Sequence, residues 1–373
     1  MDNCVIPHGY KATALGIIPQ EWEVMLLGNL SNSISSGRNK HRDAHGQYPV
    51  FGSTGIIGYS STYEYEGPVI LVARVGANAG TLNFASGQYD VSDNTLIITI
   101  KQNVYDYNFA YNQLTHYKLN KLVFGSGQPL ITSKQLKNIR IPVPPLAEQR
   151  KIAEVLGVWD KAIEKQARLI EKLALRKRAL MQRLLSAKLR LPGFSEPWKK
   201  VKLGDVAELY QPQTIQSEDL SQTGYPVYGA NGLIGYYNNY NHEYPQVVIT
   251  CRGSSCGTVN FTPGKCWITG NAMVLNVDNN RDVNKSFFYY LISNSSFVNL
   301  ISGSGQPQIV RQPLLKFELR IPPLKEQTAI AEVLTAADRE IDLAKEKLER
   351  LRRQKRGLMQ QLLTGKKRVK YGN

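Results

Sequence analysis

Two long segments of this chain place apolar residues in a heptad pattern, while the segments before them alternate short apolar runs with turns. In one register, eight of ten heptad core positions are apolar in the first segment, which begins near residue 146, and nine of ten in the second, which begins near residue 324. A repeat of 3.5 residues predicts two long coiled-coil helices. The predicted core comprises Ile152, Leu156, Trp159, Ile163, Ile170, Leu173, Leu180, Leu184, Ile330, Leu334, Ile341, Leu348, Leu351, Leu358 and Leu362.

Each helix would span about 40 residues, or roughly 60 Å. An apolar seam facing water is unfavourable, so we expect the helices to pack on each other. An antiparallel pair would place the globular segments at opposite ends of a rod with an approximate two-fold axis; the alternative folds each helix onto its own globular segment. Lys177 and Lys355 occupy equivalent core positions. They would either fix the register of the pair or extend toward water from a loosened helix end.

The remaining segments are rich in β-branched and aromatic runs separated by Gly, Asn and Ser. Residues 68–72, 95–100, 246–250 and 271–275 are predicted strands, and 108–120 a helix. Pro145 and Pro323 suit the first turn of the long helices. Leu191-Pro192-Gly193 and Gly365 are the predicted ends. The predicted organisation is 1–143 (globular), 144–190 (helix), 191–321 (globular) and 322–373 (helix and basic tail).

The two halves of the chain repeat each other. Tyr48–Tyr59 returns as Tyr225–Tyr236, shifted by 177 positions, and Pro144–Gln149 returns as Pro322–Gln327, shifted by 178. A period this long indicates a duplicated domain rather than a solenoid, whose repeats span about 20–50 residues. Two equivalent halves can present two similar surfaces to one long partner.

The net charge of +16 and the pI near 9.5 favour a polyanionic partner, most commonly nucleic acid. No apolar run reaches membrane-span length and Met1-Asp2-Asn3-Cys4 does not begin a signal peptide, so we expect a cytoplasmic protein. Cys251 and Cys256 align with Ala73 and Ala79 of the other half, which favours free thiols over a metal site.

Catalytic motifs are absent from the sequence. There is no phosphate-binding Gly-x4-Gly-Lys-Ser/Thr loop and no His-Glu-x-x-His, and the five histidines have no counterparts in the repeat. We therefore expect no catalytic site, no metal and no cofactor on this chain.

Side chains suited to DNA recur at equivalent positions of turn-rich segments. The DNA-binding candidates are Arg74, Asn94, Ser126, Gln128, Arg252, Asn271, Ser304 and Gln306. Arg, Asn and Gln can contact base edges, but residues shared by both halves cannot distinguish two half-sites. The interpretation as phosphate-positioning or structural residues is preferred to base readout. Discrimination is expected where the halves differ, at 31–47 against 207–224 and at 85–92 against 262–269.

The alternation of globular segment and Pro-Pro-Leu-x-Glu-Gln helix resembles the specificity subunit of type I restriction-modification enzymes. The motifs are Pro144–Gln149, Pro322–Gln327, the opening Gly16–Trp22 and Leu191–Trp198, and the match covers nearly the whole chain. The resemblance implies tandem α/β (α+β) target-recognition domains, a pseudo-two-fold internal repeat and an antiparallel coiled coil that spaces them.

The resemblance further implies a non-catalytic subunit that reads a split site in double-stranded DNA. It would assemble with two methyltransferase subunits and with restriction subunits for cleavage, and these partners would bind S-adenosylmethionine, ATP and Mg²⁺. The coiled coil would act as a ruler, so four added residues, about 6 Å, should lengthen the spacer by roughly one or two base pairs. The alternatives are a chain with its own methyltransferase or nuclease activity, a protein-assembly scaffold without DNA reading, and an orphan or silent subunit.

Overall fold

The computed structural model describes residues 6–125, 129–229, 232–303 and 305–370. The chain forms two compact units. Unit 1 consists of the chain up to Gln166 together with the chain from Lys347 onward, and unit 2 is Ala167–Glu346. The sequence boundaries at 143, 190 and 321 separate globular segments from helices, whereas the compact units divide each long helix between them. Each unit therefore joins one globular segment to parts of both helices.

Unit 1 covers both faces of its main sheet. The elements up to the first long helix are β1 (Tyr10–Thr13), β2 (Gly16–Pro19), β3 (Glu23–Leu26), α1 (Leu27–Leu30), β4 (Ser31–Ser36), β5 (Tyr48–Gly52), β6 (Gly55–Ser60), β7 (Tyr65–Glu66), β8 (Val69–Ala73), β9 (Leu82–Ala85), β10 (Gln88–Val91), β11 (Thr95–Ile100), α2 (Tyr107–Tyr117), α3 (Ser133–Lys137), β12 (Arg140–Val143) and α4 (Leu146–Leu184). The main sheet has the order β4-β11-β8-β9, and a second sheet the order β6-β5-β10-β7. Ile70 and Val72 face the core beneath α2, while Val69 and Leu71 face the second sheet. This explains why all of β8 is buried and apolar.

Unit 2 repeats that plan with fewer strands among its described residues. Its elements are β13 (Lys199–Lys202), α5 (Leu203–Val206), β14 (Glu208–Tyr210), β15 (Tyr225–Gly229), β16 (Gly232–Tyr237), β17 (Val247–Thr250), β18 (Val259–Phe261), β19 (Trp267–Ile268), β20 (Ala272–Asn276), α6 (Lys285–Ser293), α7 (Arg311–Leu315), β21 (Glu318–Ile321) and α8 (Leu324–Leu362). The main sheet has the order β14-β20-β17-β18, and the second β16-β15-β19. Val247 and Ile249 face one core and Val248 the other. The predicted strands and the 108–120 helix are present within a few residues of their expected bounds.

In unit 1, the start of α4 packs against the end of α8. Ile152 and Leu156 are fully buried in one cluster with Met359 and Leu362. Further along α4, Asp160 pairs with Lys355 at 2.6 Å, earlier on α8. Since contacts advance along one helix and recede along the other, the pair is antiparallel.

Unit 2 has the same arrangement with the roles of the helices exchanged. Leu173 packs against Ile341 and Ala344, while Leu184 lies in one cluster with Ile330 and Leu334. The side chain of Lys177 pairs with Asp338. The antiparallel coiled coil expected from the sequence is therefore present within each unit.

The structure buries many of the predicted seam residues and half-buries the rest. Buried are Ile152, Leu156, Leu173, Leu184, Ile330, Leu334, Ile341, Leu348 and Leu362; half-buried are Trp159, Ile163, Ile170, Leu180, Leu351 and Leu358. The two core lysines each reach an aspartate on the opposite helix, and their side chains are only 19% and 16% exposed. They are ion-paired within the seam, rather than extending freely from a loosened helix end.

The end of the first long helix differs from the prediction. Helix α4 stops at Leu184, not at Leu191-Pro192-Gly193. The backbone of Ala187 then turns left-handed, with φ of 59°, and the Leu189 N–H donates to the Arg183 carbonyl. The end of α8 repeats this with Gly365 at φ 72° and a bond from the Lys367 N–H to the Gln361 carbonyl. A left-handed residue just after a helix lets following N–H groups bond to the last carbonyls of that helix. After α4 this residue is an alanine, so α4 ends without the predicted proline and glycine.

Candidate nucleic-acid interface

Arg74 and Asn94 of unit 1 are neighbours at one end of the main sheet. Arg74 follows β8 and Asn94 precedes the antiparallel strand β11, so the Arg74 N–H donates to the Asn94 carbonyl at 2.9 Å. Asn94 is exposed and Arg74 half-buried. The guanidinium of Arg74 also donates to Ser36 Oγ at 3.3 Å. The main-chain hydrogen bond between Arg74 and Asn94 therefore holds both residues side by side in the loops at this end of the sheet.

The residues that flank the Gly-Ser-Gly-Gln-Pro segment join this loop cluster from the other side. The Ile131 N–H donates to the Arg74 carbonyl and the Gly76 N–H to the Pro129 carbonyl, both at 2.9 Å. Ser126 and Gln128 lie outside the residues that the structure describes, so their place at this surface stays a prediction. The turn is tied to the backbone around Arg74 through its described flanks.

Unit 2 builds the same cluster from equivalent residues. The Cys251 N–H donates to the Asn271 carbonyl at 3.0 Å, and Arg252 is bridged to Gln308 of the second turn. Arg252, Asn271 and Gln306 are all exposed. Ser304 lies outside the described residues. The structure therefore brings Arg252, Asn271 and the Gln306 turn to one surface, as it does for the described part of the set in unit 1.

A buried charge links each globular segment to the helix pair. Glu148, in the first turn of α4, is fully buried. It accepts two hydrogen bonds from Arg368, at 2.6 and 2.9 Å, and one from Trp22 Nε1 at 3.0 Å. Glu326, in the first turn of α8, accepts two from Arg190, at 2.6 and 2.8 Å. Each arginine comes from the segment that follows the opposite helix, and bidentate pairing makes the contact strong.

The glutamine of each motif connects the same helix start to the preceding loop. Gln149 donates to the Val104 and Pro144 carbonyls and accepts from the Asp106 N–H. Gln327 makes the equivalent three bonds, to Asp282, Pro322 and Asn284. We call each set of Glu, Arg and Gln contacts a joint. Both joints attach a globular segment to the helix pair.

The joint arginines were missed by the reasoning from sequence. A signal was present, because Arg190 and Arg368 are separated by 178 positions, the same shift as Glu148 and Glu326. A search for charges of opposite sign that recur at one shift would have found both pairs.

Within the described ranges, no group of His, Cys, Asp and Glu side chains is arranged to hold a metal ion. Burial raises the pKa of the Cys251 thiol to about 11, so this thiol is protonated at neutral pH and unsuited to nucleophilic attack. No helix among the described residues has the length and apolar character to span a membrane.

Comparison with known proteins identifies the two halves. The model of the type I restriction modification DNA specificity domain matches residues 19–174 and again 195–353. The chain is 24% identical over 413 residues to the type I restriction enzyme MjaVIII specificity subunit of Methanocaldococcus jannaschii, covering 95% of each. It is 26% identical over 418 residues to the putative MjaX specificity subunit of the same organism, covering 97% of each.

The fold is also shared with a solved structure. The S subunit of a type I restriction-modification system from M. genitalium superposes with a TM-score of 0.64 at 19% identity, over 92% of this chain and 96% of that one. Because the family model matches most of the sequence in two copies, this chain belongs to the family of type I restriction modification DNA specificity domains, as a non-catalytic specificity subunit with two such domains.

Proposed function

We propose that each unit reads one half of a split DNA site and that the helix pair sets the distance between the halves. The observation that carries this proposal is the repetition of one assembly: an Arg and Asn loop cluster attached through a buried Glu–Arg joint to an antiparallel helix pair. A ruler requires such joints, because a loose attachment would let the separation vary.

The chemistry is assigned to other polypeptides. The proposed complex contains this chain, two methyltransferase subunits and restriction subunits, with S-adenosylmethionine, ATP and Mg²⁺ bound by those partners in the cytoplasm. The family membership and the basic charge of +16 support this division of labour.

The ruler is tested by lengthening both helices together. One heptad inserted after Gln166 and one after Glu346 keeps the seam in phase and adds about 10 Å. The methylated site should then keep both half-sites and gain roughly three base pairs of spacer, since DNA rises about 3.4 Å per base pair. The readout is sequencing of methylated adenines in DNA treated with the reconstituted complex.

A matched control carries the heptad in one helix only. The Asp160–Lys355 and Lys177–Asp338 pairs then cannot both stay aligned, so this variant should not give a clean spacer of the new length. An unchanged spacer in the doubly extended chain would reject the ruler. An assembled complex that methylates no split site would favour the scaffold or the silent subunit.

A further inference from the structure

The loops next to the two Arg and Asn clusters differ in charge. In unit 1, residues 37–42, here the cationic loop, contain Arg38, Lys40 and Arg42. In unit 2, residues 211–216, here the amide loop, contain Gln211, Gln213 and Gln216. The sequence has no Lys or Arg between Lys202 and Arg252, although the whole chain has 46 such residues. Two loops in equivalent places therefore offer DNA different chemistry.

The cationic loop is held rigidly beside Asn94. It leaves β4 at Gly37, whose N–H donates to the Thr95 carbonyl, and a Cβ there would lie 2.4 Å from the Ser92 carbonyl oxygen. The side chain of Asn39 then fixes the loop. It donates to Asp90 and accepts from the His41 N–H and the Arg42 guanidinium.

This anchoring leaves two cations facing outward. The Lys40 side chain is exposed, and that of Arg38 is 81% exposed and forms a 3.6 Å ion pair with Glu64. Arg42 is bonded within the loop and acts on its shape. Arg and Lys side chains on a rigid loop are the groups that select guanine in the major groove through O6 and N7.

The amide loop lies in the corresponding place in unit 2. Gln211 Nε2 donates to the Gly270 carbonyl beside Asn271, and Trp267 Nε1 donates to the Gln213 carbonyl. The side chains of Gln213 and Gln216 are exposed. A glutamine amide offers one donor and one acceptor, which matches adenine N7 and N6.

Building on the proposed function, we propose that recognition of the two half-sites is chemically asymmetric. The cationic loop selects guanine through Arg38 and Lys40, and the amide loop selects adenine through Gln213 and Gln216. Both units position the DNA backbone with the shared residues Arg74, Asn94, Arg252 and Asn271, and this common role explains why these residues recur.

The experiment uses the reconstituted complex with methyltransferase subunits and a DNA library randomised in both half-sites. Arg38→Gln with Lys40→Gln should lower the preference for guanine in one half-site by roughly 10-fold or more, leaving the other half-site unchanged. Gln213→Leu with Gln216→Leu should lower the preference for adenine in the other half-site. The half-site that stays unchanged shows in each case that the other unit still reads DNA, and peptide-resolved hydrogen exchange shows that the mutated unit is folded.

The matched controls lie past the other ends of β11 and β20, the strands that Asn94 and Asn271 precede. Lys101, after β11, and Asn279, after β20, are exposed, and neither Lys101→Gln nor Asn279→Ala should alter base preference. A loss of methylation that is uniform across all sequences, with a weaker salt dependence, would mean phosphate contact and would overturn the proposal. The proposal would also be overturned if the variants still methylate split sites with unchanged preferences for guanine and adenine. That outcome would leave the proposed function intact. An unmodified complex that methylates no split site overturns both.

Discussion

The joints of the two units are nearly identical, whereas the loops beside their Arg and Asn clusters are not. Both joints use a buried glutamate, a bidentate arginine and a glutamine with three main-chain contacts. In contrast, the cationic loop and the amide loop share no charge pattern. Duplication has therefore kept the parts that hold a recognition segment in place and changed the parts that we assign to reading.

The joints differ at the tryptophan, and that difference allows a test. Trp22 Nε1 donates to Glu148, but the equivalent Trp198 Nε1 is buried without a hydrogen-bond partner in the described part of the chain. The Glu148 carboxylate thus accepts three of these side-chain hydrogen bonds, and the Glu326 carboxylate accepts two. The glutamate of unit 2 relies more on its arginine.

The largest effect is expected from removing the joint arginines. Arg190→Ala leaves the buried Glu326 carboxylate unpaired and should lower the free energy of unfolding of unit 2 by about 3–5 kcal/mol. Arg368→Ala should cost less in unit 1, because Trp22 still donates to Glu148. Hydrogen exchange resolved by peptide measures the two units in the same chain. Equal losses would mean that the tryptophan bond adds nothing.

Replacing each tryptophan by phenylalanine tests the Trp22–Glu148 hydrogen bond directly. Trp22→Phe removes a hydrogen bond to a charged group, worth about 1.5–3 kcal/mol, together with some packing. Trp198→Phe removes a buried donor that has no partner, so only the packing loss remains and unit 2 should be destabilised less. Denaturant titration followed by the fluorescence of the remaining tryptophans gives both values. A larger loss for Trp198→Phe would contradict the comparison.

The sequence predicted the elements well and the joints only in part. Local periodicity predicts helices α4 and α8 and strands β8 and β11. A buried strand or a heptad seam leaves its pattern of apolar residues in the sequence of the element itself. The Arg368–Glu148 contact joins residues 220 positions apart, and nothing local at either residue indicates its partner. The end of α4 was missed for a related reason, because Ala187 adopts a conformation that its residue type disfavours.

The helix ends give a smaller effect, of opposite sign in the two units. Gly365 is left-handed, and a Cβ there would lie 2.3 Å from Pro19 Cδ, so Gly365→Ala should destabilise unit 1 by about 1–3 kcal/mol. Ala187 already adopts the left-handed conformation, so Ala187→Gly should relieve strain and stabilise unit 2 by up to about 1 kcal/mol. Thermal unfolding of each variant measures the sign. A loss in both would show that backbone strain is not what distinguishes the two ends.

The smallest effect is expected at the core lysines, and it separates stability from register. Asp160 is 54% exposed beside Lys355, while Asp338 is 36% exposed beside Lys177 and also accepts from Tyr290. Removing one partner of a buried ion pair is costly, but Asp160 and Asp338 both keep contact with water and are not left as buried charges. Ion pairs this exposed contribute little, and a leucine at a seam position adds apolar packing. Lys355→Leu should therefore leave the free energy of unfolding unchanged or raise it by about 1 kcal/mol, with Lys177→Leu close to it.

The register is a separate question for these two variants. If the ion pairs fix the alignment of the helices, the double variant should methylate sites of more than one spacer length while remaining as stable as the parent. If the joints at the two helix ends are sufficient, the spacer should stay single. We expect the single spacer, because a shift of either helix would break the Glu148–Arg368 and Glu326–Arg190 contacts, each of which joins the start of one helix to the segment following the other.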